Sequence, residues 1–337
     1  MAPSTDGSPW KTAGFWLFGL LGLGAVILVV LRLGELERFA ELARQARPEW
    51  LLLALALQAS TYICAASVWH AALARIGQRR PLRSLVPLGL AKLFTDQALP
   101  SGGVSGTLLV IRGLARRGVP MHLAMGALLV GLVSYYSAYG LAALGALIVL
   151  QLHHAVGPAV VAVAALFALF VVGIPVLVLS LRRLKGGPWL DRLRRVPGAA
   201  SLLEAINTAP SDLLRDPVLM LKTTGLQLAV FLLDAATLYV MLRALDQAAS
   251  PLSAFASFMV ANVVATVGPN PLGLGAFEGA AVVVLNATGV SIEAALAATL
   301  LLRGFTFWLP MLPGLWLARR ELGKAKDAPS RTKADQA

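Results

Sequence analysis

Charge is scarce in this chain, and acid is scarcer than base: of 337 residues 14% are charged, with 17 Asp and Glu against 29 Lys and Arg. With 58% hydrophobic residues and a mean hydropathy of +0.75, a water-soluble fold would have too little polar surface to cover itself. Composition therefore excludes an ordinary soluble protein and points to a membrane. There is one cysteine, Cys64, inside an apolar run. It rules out a disulfide within the chain, and no Cys-His spacing or thiol-base pairing surrounds it, so zinc and redox readings fall away and a packing role is left. The sequence also lacks a His-Glu motif on a helix, a phosphate-binding Gly-Lys loop, a nucleophile elbow and an acidic metal cluster, so neither an enzyme nor a cofactor is expected. The net charge of +12 is split among short runs in separate loops, which argues against nucleic acid as a partner.

What the chain has in abundance is long apolar segments. About 20 apolar residues are needed to cross a hydrocarbon core about 30 Å thick. Six segments qualify: 13–33, 50–74, 123–150, 158–181, 218–243 and 294–317. The first is uncharged from Ala13 to Leu31, too long for a signal-peptide core, and no small-x-small site follows, so an uncleaved span is expected. Two further stretches, 85–115 and 252–287, are interrupted at Leu99-Pro100-Ser101-Gly102-Gly103 and at Gly268-Pro269-Asn270-Pro271-Leu272-Gly273-Leu274-Gly275. Each half is too short to cross alone, so each stretch reads either as a re-entrant helical hairpin or as a pair of kinked, short spans. Irregular backbone at membrane depth is tolerated only inside protein or beside a wet cavity, which makes both breaks candidate sites.

The basic residues supply an independent test, because cytoplasmic loops collect Lys and Arg. With the N-terminus inside and both hairpins returning to their side of entry, the runs around Arg79–Arg83, Arg112–Arg117, Arg182–Arg195 and Arg319–Lys333 all become cytoplasmic. Only Arg38, Arg44, Arg47 and Arg243 fall outside. Three of these lie in Glu35–Arg47, interleaved with Glu35, Glu37 and Glu41, and this stretch reads as a surface helix. The basic segment 182–217 carries Trp189 and several Leu, consistent with the anionic inner leaflet or with a solvated linker. Trp50, Trp189, Trp308 and Trp316 are expected interface anchors.

Sliding the chain against itself by 171 residues lays Pro100 on Pro271, Gly102 on Gly273, Gly118 on Gly289, Val119 on Val290 and Ala124 on Ala295. The order span, hairpin, span thus occurs twice, with three crossings between the copies, so the second copy would be inverted. The expected fold is an all-α integral membrane bundle with two inverted repeats, each with a broken re-entrant hairpin. Its parts are a cytoplasmic tail 1–12, a first repeat 13–150, a second repeat 151–317 and a polar cytoplasmic tail 318–337.

Charged side chains within spans cost about 2.5–3.5 kcal/mol each and usually face a partner or a cavity. Lys92 and Asp96, four apart before the first break, form a structural pair or line the site. Glu278 follows the second break and Arg303 lies in the last span, where each satisfies the other or both meet a bound headgroup. Asp234, deep in the fifth span, caps or bridges helices. After each break a half-helix begins with free backbone N–H groups and a positive dipole end that attract phosphate or carboxylate. Ser101, Ser105 and Thr107 add hydroxyls there, and Gly102, Gly103, Gly273 and Gly275 let a ligand approach the backbone or simply permit a tight turn.

The run Asp96-Gln97-Ala98-Leu99-Pro100-Ser101-Gly102-Gly103-Val104-Ser105-Gly106-Thr107, followed by Arg112 and Arg116-Arg117-Gly118-Val119-Pro120, resembles the transmembrane family of lysylphosphatidylglycerol synthases. So does Gly273-Leu274-Gly275-Ala276-Phe277-Glu278 with Gly289-Val290, Arg303 to Phe305, Trp308-Leu309-Pro310, Pro313 and Gly314. The resemblance spans nearly the whole chain. It implies a flippase-like role for aminoacylated or glycosylated lipids, or a link to hopanoid and polyprenyl lipids, with Gly102, Gly103, Arg112, Gly273, Gly275, Glu278 and Arg303 on motif positions. Two departures stand out. Val104 and Ser105 follow the double glycine where many relatives carry an acid, and only a polar tail follows the last span where an aminoacyl-transferase domain would stand, so lipid aminoacylation is not expected.

Three functions fit these readings: translocation of a lipid with an anionic headgroup in the cell (inner) membrane, transport of a small soluble anion, or a non-transporting partner of a lipid-modifying enzyme. The sequence leaves the oligomeric state open.

Overall fold

The computed structural model describes residues 46–98, 104–152, 210–267 and 275–323, together with a few isolated positions. Both Pro-Gly breaks, the spans expected at 13–33 and 158–181, nearly all of the basic segment 182–217 and most of the Glu35–Arg47 stretch lie outside the described residues. The described residues from Ala46 onward form one compact unit.

Every described element is a helix. They are α1 (Pro48–Arg75), α2 (Leu82–Ala98), α3 (Val104–Arg116), α4 (Met121–Leu152), the short α5 (Ser211–Arg215), α6 (Pro217–Ala244), α7 (Pro251–Val267), α8 (Ala276–Ala287), α9 (Ile292–Arg303), a π-helical turn (Gly304–Trp308) and α10 (Leu309–Gly323). Among the described residues, four helical stretches are long and apolar enough to cross a bilayer: Pro48–Arg75, Met121–Leu152, Pro217–Ala244 and Ile292–Glu321. The 28 residues of α1 or α6 extend about 42 Å at 1.5 Å per residue, longer than the hydrocarbon core. By the same rise α3 and α8 reach only about 20 Å and cannot cross alone.

The burial pattern is that of a bundle in lipid. Outward positions keep large apolar side chains exposed, such as Leu52, Leu144 and Leu221 at 68%, 56% and 78%. Inward positions hold small ones, with Ala54, Ala66 and Ala72 buried on α1 and Ala235 and Ala244 on α6, which lets backbones approach. Several buried hydroxyls return to their own helix, as in Thr61 to Gln58 O at 2.7 Å and Ser134 to Val130 O at 2.7 Å, while Ser257 of α7 crosses to Ala281 O of α8 at 3.0 Å. No backbone group at that depth has water to turn to, so this internal satisfaction is obligatory.

Two sets of elements recur at the expected spacing. Those from α1 to α4 reappear as α6, α7, α8 and α9–α10, each starting within two residues of the 171 offset. The turns recur bond for bond. After α1, Gln78 N donates to Leu73 O at 2.9 Å with Gly77 at φ 74°; after α6, Gln247 N donates to Leu242 O at 2.9 Å with Asp246 at φ 57°. After α3 and α8, Val119 N reaches Leu114 O and Val290 N reaches Leu285 O, both at 3.1 Å, with Gly118 and Gly289 at φ 75° and 96°. All four are left-handed helix stops that satisfy orphan carbonyls.

The leading helices α1 and α6 pack along each other in opposite directions. At one end Arg47 N donates to Ala244 O at 3.3 Å and the Arg47 guanidinium pairs with Asp246 at 2.8 Å. At the other end Arg75 pairs with Asp216, which also caps α6 by accepting from Val218 N and Leu219 N. Other contacts exchange in the same way. α10 lies on α2 as α4 lies on α7, and α1 touches α4 as α6 touches α9. These contacts are compatible with an inverted repeat.

Candidate functional site

The second break ends at Gly275, whose φ of 78° turns the chain into α8. A helix starting at membrane depth exposes amide donors that nothing apolar can satisfy. The chain answers with its own carboxylate: Glu278 Oε2, in the first turn, accepts from Gly275 N at 2.7 Å. The other oxygen, Oε1, accepts from Arg303 Nε at 2.6 Å. Arg303, the last residue of α9, lays its guanidinium over the Phe277 ring at 4.7 Å. Its Nη2 is buried and has no hydrogen-bond partner among the described residues.

Directly after Arg303 the helix widens into the π turn, where Leu309 N reaches back to Gly304 O. Pro310 accounts for it, because a proline has no N–H and its ring collides with the carbonyl four residues earlier. Such widened turns often accompany functional sites. Trp308, expected as an interface anchor, belongs instead to this turn, packed edge-on against Phe307. Trp50 and Trp316 do sit near helix ends, beside the Arg243 and Arg320 guanidiniums.

The first break is closed differently. Asp96 on α2 reaches across to α3, where its Oδ1 accepts from Gly106 N at 2.9 Å, and its Oδ2 pairs with Lys92 Nζ at 2.5 Å. Gly106 is required by that approach, since a Cβ there would stand 2.7 Å from Asp96 Oδ2. Ser105 Oγ donates to Thr95 O at 3.3 Å and ties the two limbs together.

At each helix start one of the expected amide donors is held by the chain itself. Among the described residues, Gly106 N and Gly275 N are both taken by carboxylates of the chain itself, because an unsatisfied N–H at depth costs more than an internal cap. Lys92 with Asp96, and Glu278 with Arg303, are brought together as pairs. Arg112 is not part of either pair; it is exposed on α3, about 12 Å along the helix from Val104. Ser101, Gly102, Gly103 and Gly273 lie outside the described residues. Gly106 and Phe277 were missed by sequence reasoning, although both stand inside the quoted motifs.

Asp234 bridges helices. Gln58 Nε2 on α1 donates to Asp234 Oδ1 at 2.9 Å and to Thr237 Oγ1 at 3.0 Å, both on α6.

A bundle of apolar helices, several of them long enough to cross a bilayer, with ion pairs held beside the two breaks, defines a polytopic helical membrane protein. The family model described as Lysylphosphatidylglycerol synthase TM region matches residues 16–314, and the chain belongs to that family, which ties it to lipid-handling membrane proteins. No curated protein matches it.

Proposed function

We propose that the protein is a non-enzymatic, flippase-like translocator or handler of a lipid with an anionic headgroup, built as an inverted repeat, multi-pass in the cell inner membrane with both termini cytoplasmic. The observation that carries this is Arg303. It is a cation in an apolar helical stretch with one buried donor, Nη2, left without an acceptor among the described residues, beside a helix N-terminus that its own neighbour caps. An unsatisfied buried donor is a standing cost that an incoming phosphate or carboxylate oxygen removes.

Glu278 and Asp96 act in this reading as place-holders. Each keeps its half-helix terminus and its cation neutral while no lipid is present. A headgroup displaces the carboxylate, takes over the amide and guanidinium donors, and leaves as the carboxylate returns. Bidentate recognition suits Arg better than Lys, which puts the selective contact at Arg303.

The test is flipping of a fluorescent anionic lipid by purified protein in proteoliposomes. Arg303→Ala is expected to abolish it, and so is the double variant Glu278→Gln/Arg303→Gln, which removes both charges without orphaning either. Undiminished flipping by the folded double variant overturns the reading. Inhibition by a soluble headgroup analogue that is itself taken up would favour a small-anion transporter, and capture of a lipid-modifying enzyme without flipping would favour a partner role.

A further inference from the structure

Asp234 carries a chemistry that the headgroup site does not use. It is residue 18 of the 28 in α6, so it stands about 5 Å from the helix midpoint, and Gln58 occupies the equivalent depth on antiparallel α1. The Asp234 carboxylate has one hydrogen bond, from Gln58 to Oδ1, and Oδ2 has no partner among the described residues. Among the described residues no cation answers it. α7 carries no titratable residue. From α9 the candidates are Glu293 and Arg303, and Arg303 is held by Glu278. Asp212 and Arg215 of α5 lie at the far end of α6. On α6 itself Lys222 is 12 residues away and Tyr239 and Arg243 lie toward the C-terminus. The titratable neighbours it does have are phenols: Tyr62 of α1, whose buried hydroxyl has no partner among the described residues, and Tyr135 of α4. The apolar segments outside the described residues, 13–31 and 158–181, contain no Lys, Arg or His, and neither break does.

An ionised carboxylate at the centre of a bilayer is held by a cation or is neutralised by a proton. The Gln58 amide turns its N–H face toward Asp234 and Thr237, presenting donors, which repels a metal cation and suits a carboxyl group. We propose that Asp234 is a proton-binding site of the bundle, loading a proton from water on one side and releasing it on the other as α1 and α6 rearrange, and so coupling a proton gradient to lipid movement. This rests on the lipid-translocation reading for the word coupling, but not for the proton site itself.

The experiment uses the purified full chain and the variant Asp234→Asn, whose Oδ1 still accepts from Gln58. Infrared difference spectra between acid and alkaline buffer are expected to show a carboxylic-acid carbonyl band that titrates in the wild type and is missing in Asp234→Asn. In proteoliposomes, an imposed pH gradient is expected to shift the steady-state lipid distribution by up to about tenfold per pH unit for one proton per cycle, and to have no effect on the variant. A band unchanged by Asp234→Asn overturns the proton site whether or not lipid is flipped. A titrating Asp234 band with gradient-indifferent flipping overturns the coupling. A titrating band in a protein that flips no lipid upholds the proton site while the lipid reading fails.

Discussion

The two interrupted helices face one physical problem and meet it with different connectivity. In the second copy the carboxylate that closes the helix start comes from the helix's own first turn, Glu278, and the cation comes from another element, Arg303. In the first copy the carboxylate comes from across the break, Asp96, and the cation stands one turn before it on the same helix, Lys92. Glycine is needed at both starts for opposite reasons. Gly275 has open space around a Cβ but a φ of 78°, whereas Gly106 sits in a regular helix with the Asp96 carboxylate where its Cβ would be. A self-capped start keeps its cap however its hairpin moves; one capped across the break keeps it only while α2 and α3 stay together. The second copy thus suits a ligand exchange that leaves the helix intact, and the first suits a hinge.

Breaking the second copy's pair should have the largest effect. Glu278→Ala leaves Arg303 buried without a counter-charge and Gly275 N without an acceptor, and is expected to cost about 3–5 kcal/mol of stability, measured as thermal unfolding in detergent. Glu278→Gln should lose somewhat less, because an amide oxygen still accepts from Gly275 N although Arg303 loses its counter-charge all the same. Equal losses would mean that charge, not the cap, is what counts there. Asp96→Ala should cost less than Glu278→Ala, about 1.5–3 kcal/mol, because the side chains of Lys92 and Asp96 are 31% and 21% exposed against 18% and 10% for Arg303 and Glu278.

The glycines sharpen the contrast. Gly106→Ala overpacks against Asp96 and should cost about 1–3 kcal/mol. Much of that clash disappears in the double variant Gly106→Ala/Asp96→Ala, so the two losses should not add. Gly275→Ala should cost about 1–2 kcal/mol through its backbone alone, and its effect should add to that of any neighbour that does not touch it. If Gly106→Ala adds to Asp96→Ala, the close approach is not the reason for that glycine.

Much of this architecture was legible in the sequence because length and apolarity are properties of the chain alone. The expected spans 50–74, 123–150 and 218–243 are α1, α4 and α6 with two residues or fewer added at each end, and the fragments either side of each break are helices too short to cross. The span expected at 294–317 is also present, but it runs on to Gly323 and contains a π turn, which Pro310 alone does not announce. The Glu278–Arg303 pair was one of two readings open from sequence, since both were unmatched locally. The Asp96 bond to Gly106 N was not foreseen, because a contact across a break depends on how two limbs meet in space. The ion pairs that join α1 to α6 were hidden for the same reason. Their signal was present nonetheless: Arg47 stands opposite Asp216, and Arg75 opposite Asp246, at nearly the repeat spacing, with the sign of charge exchanged in both.

That exchange yields the smallest expected effect and the most direct test of symmetry. Arg47–Asp246 is largely exposed, at 57% and 65%, so breaking it with Asp246→Asn should cost only about 0.2–1 kcal/mol. Arg75–Asp216 differs because Asp216 also caps α6. The Leu219 N–H foremost, with the Arg75 guanidinium, holds its carboxyl below the ordinary aspartate range. A carboxyl lowered in the folded state contributes stability that is complete above the ordinary value of about 3.9 and is lost as pH falls through the lowered one. Unfolding followed from pH 7 downward should therefore show an acid-side loss of stability that Asp216→Asn reduces. Reversing the outer pair, Arg47→Asp with Asp246→Arg, should restore what either single change loses, because the pair needs only opposite signs. The same reversal at the inner pair should fail, since an Arg at position 216 cannot accept from the Val218 and Leu219 amides. Equal rescue at both ends would show that the cap contributes nothing and that the two ends of α1 and α6 are equivalent.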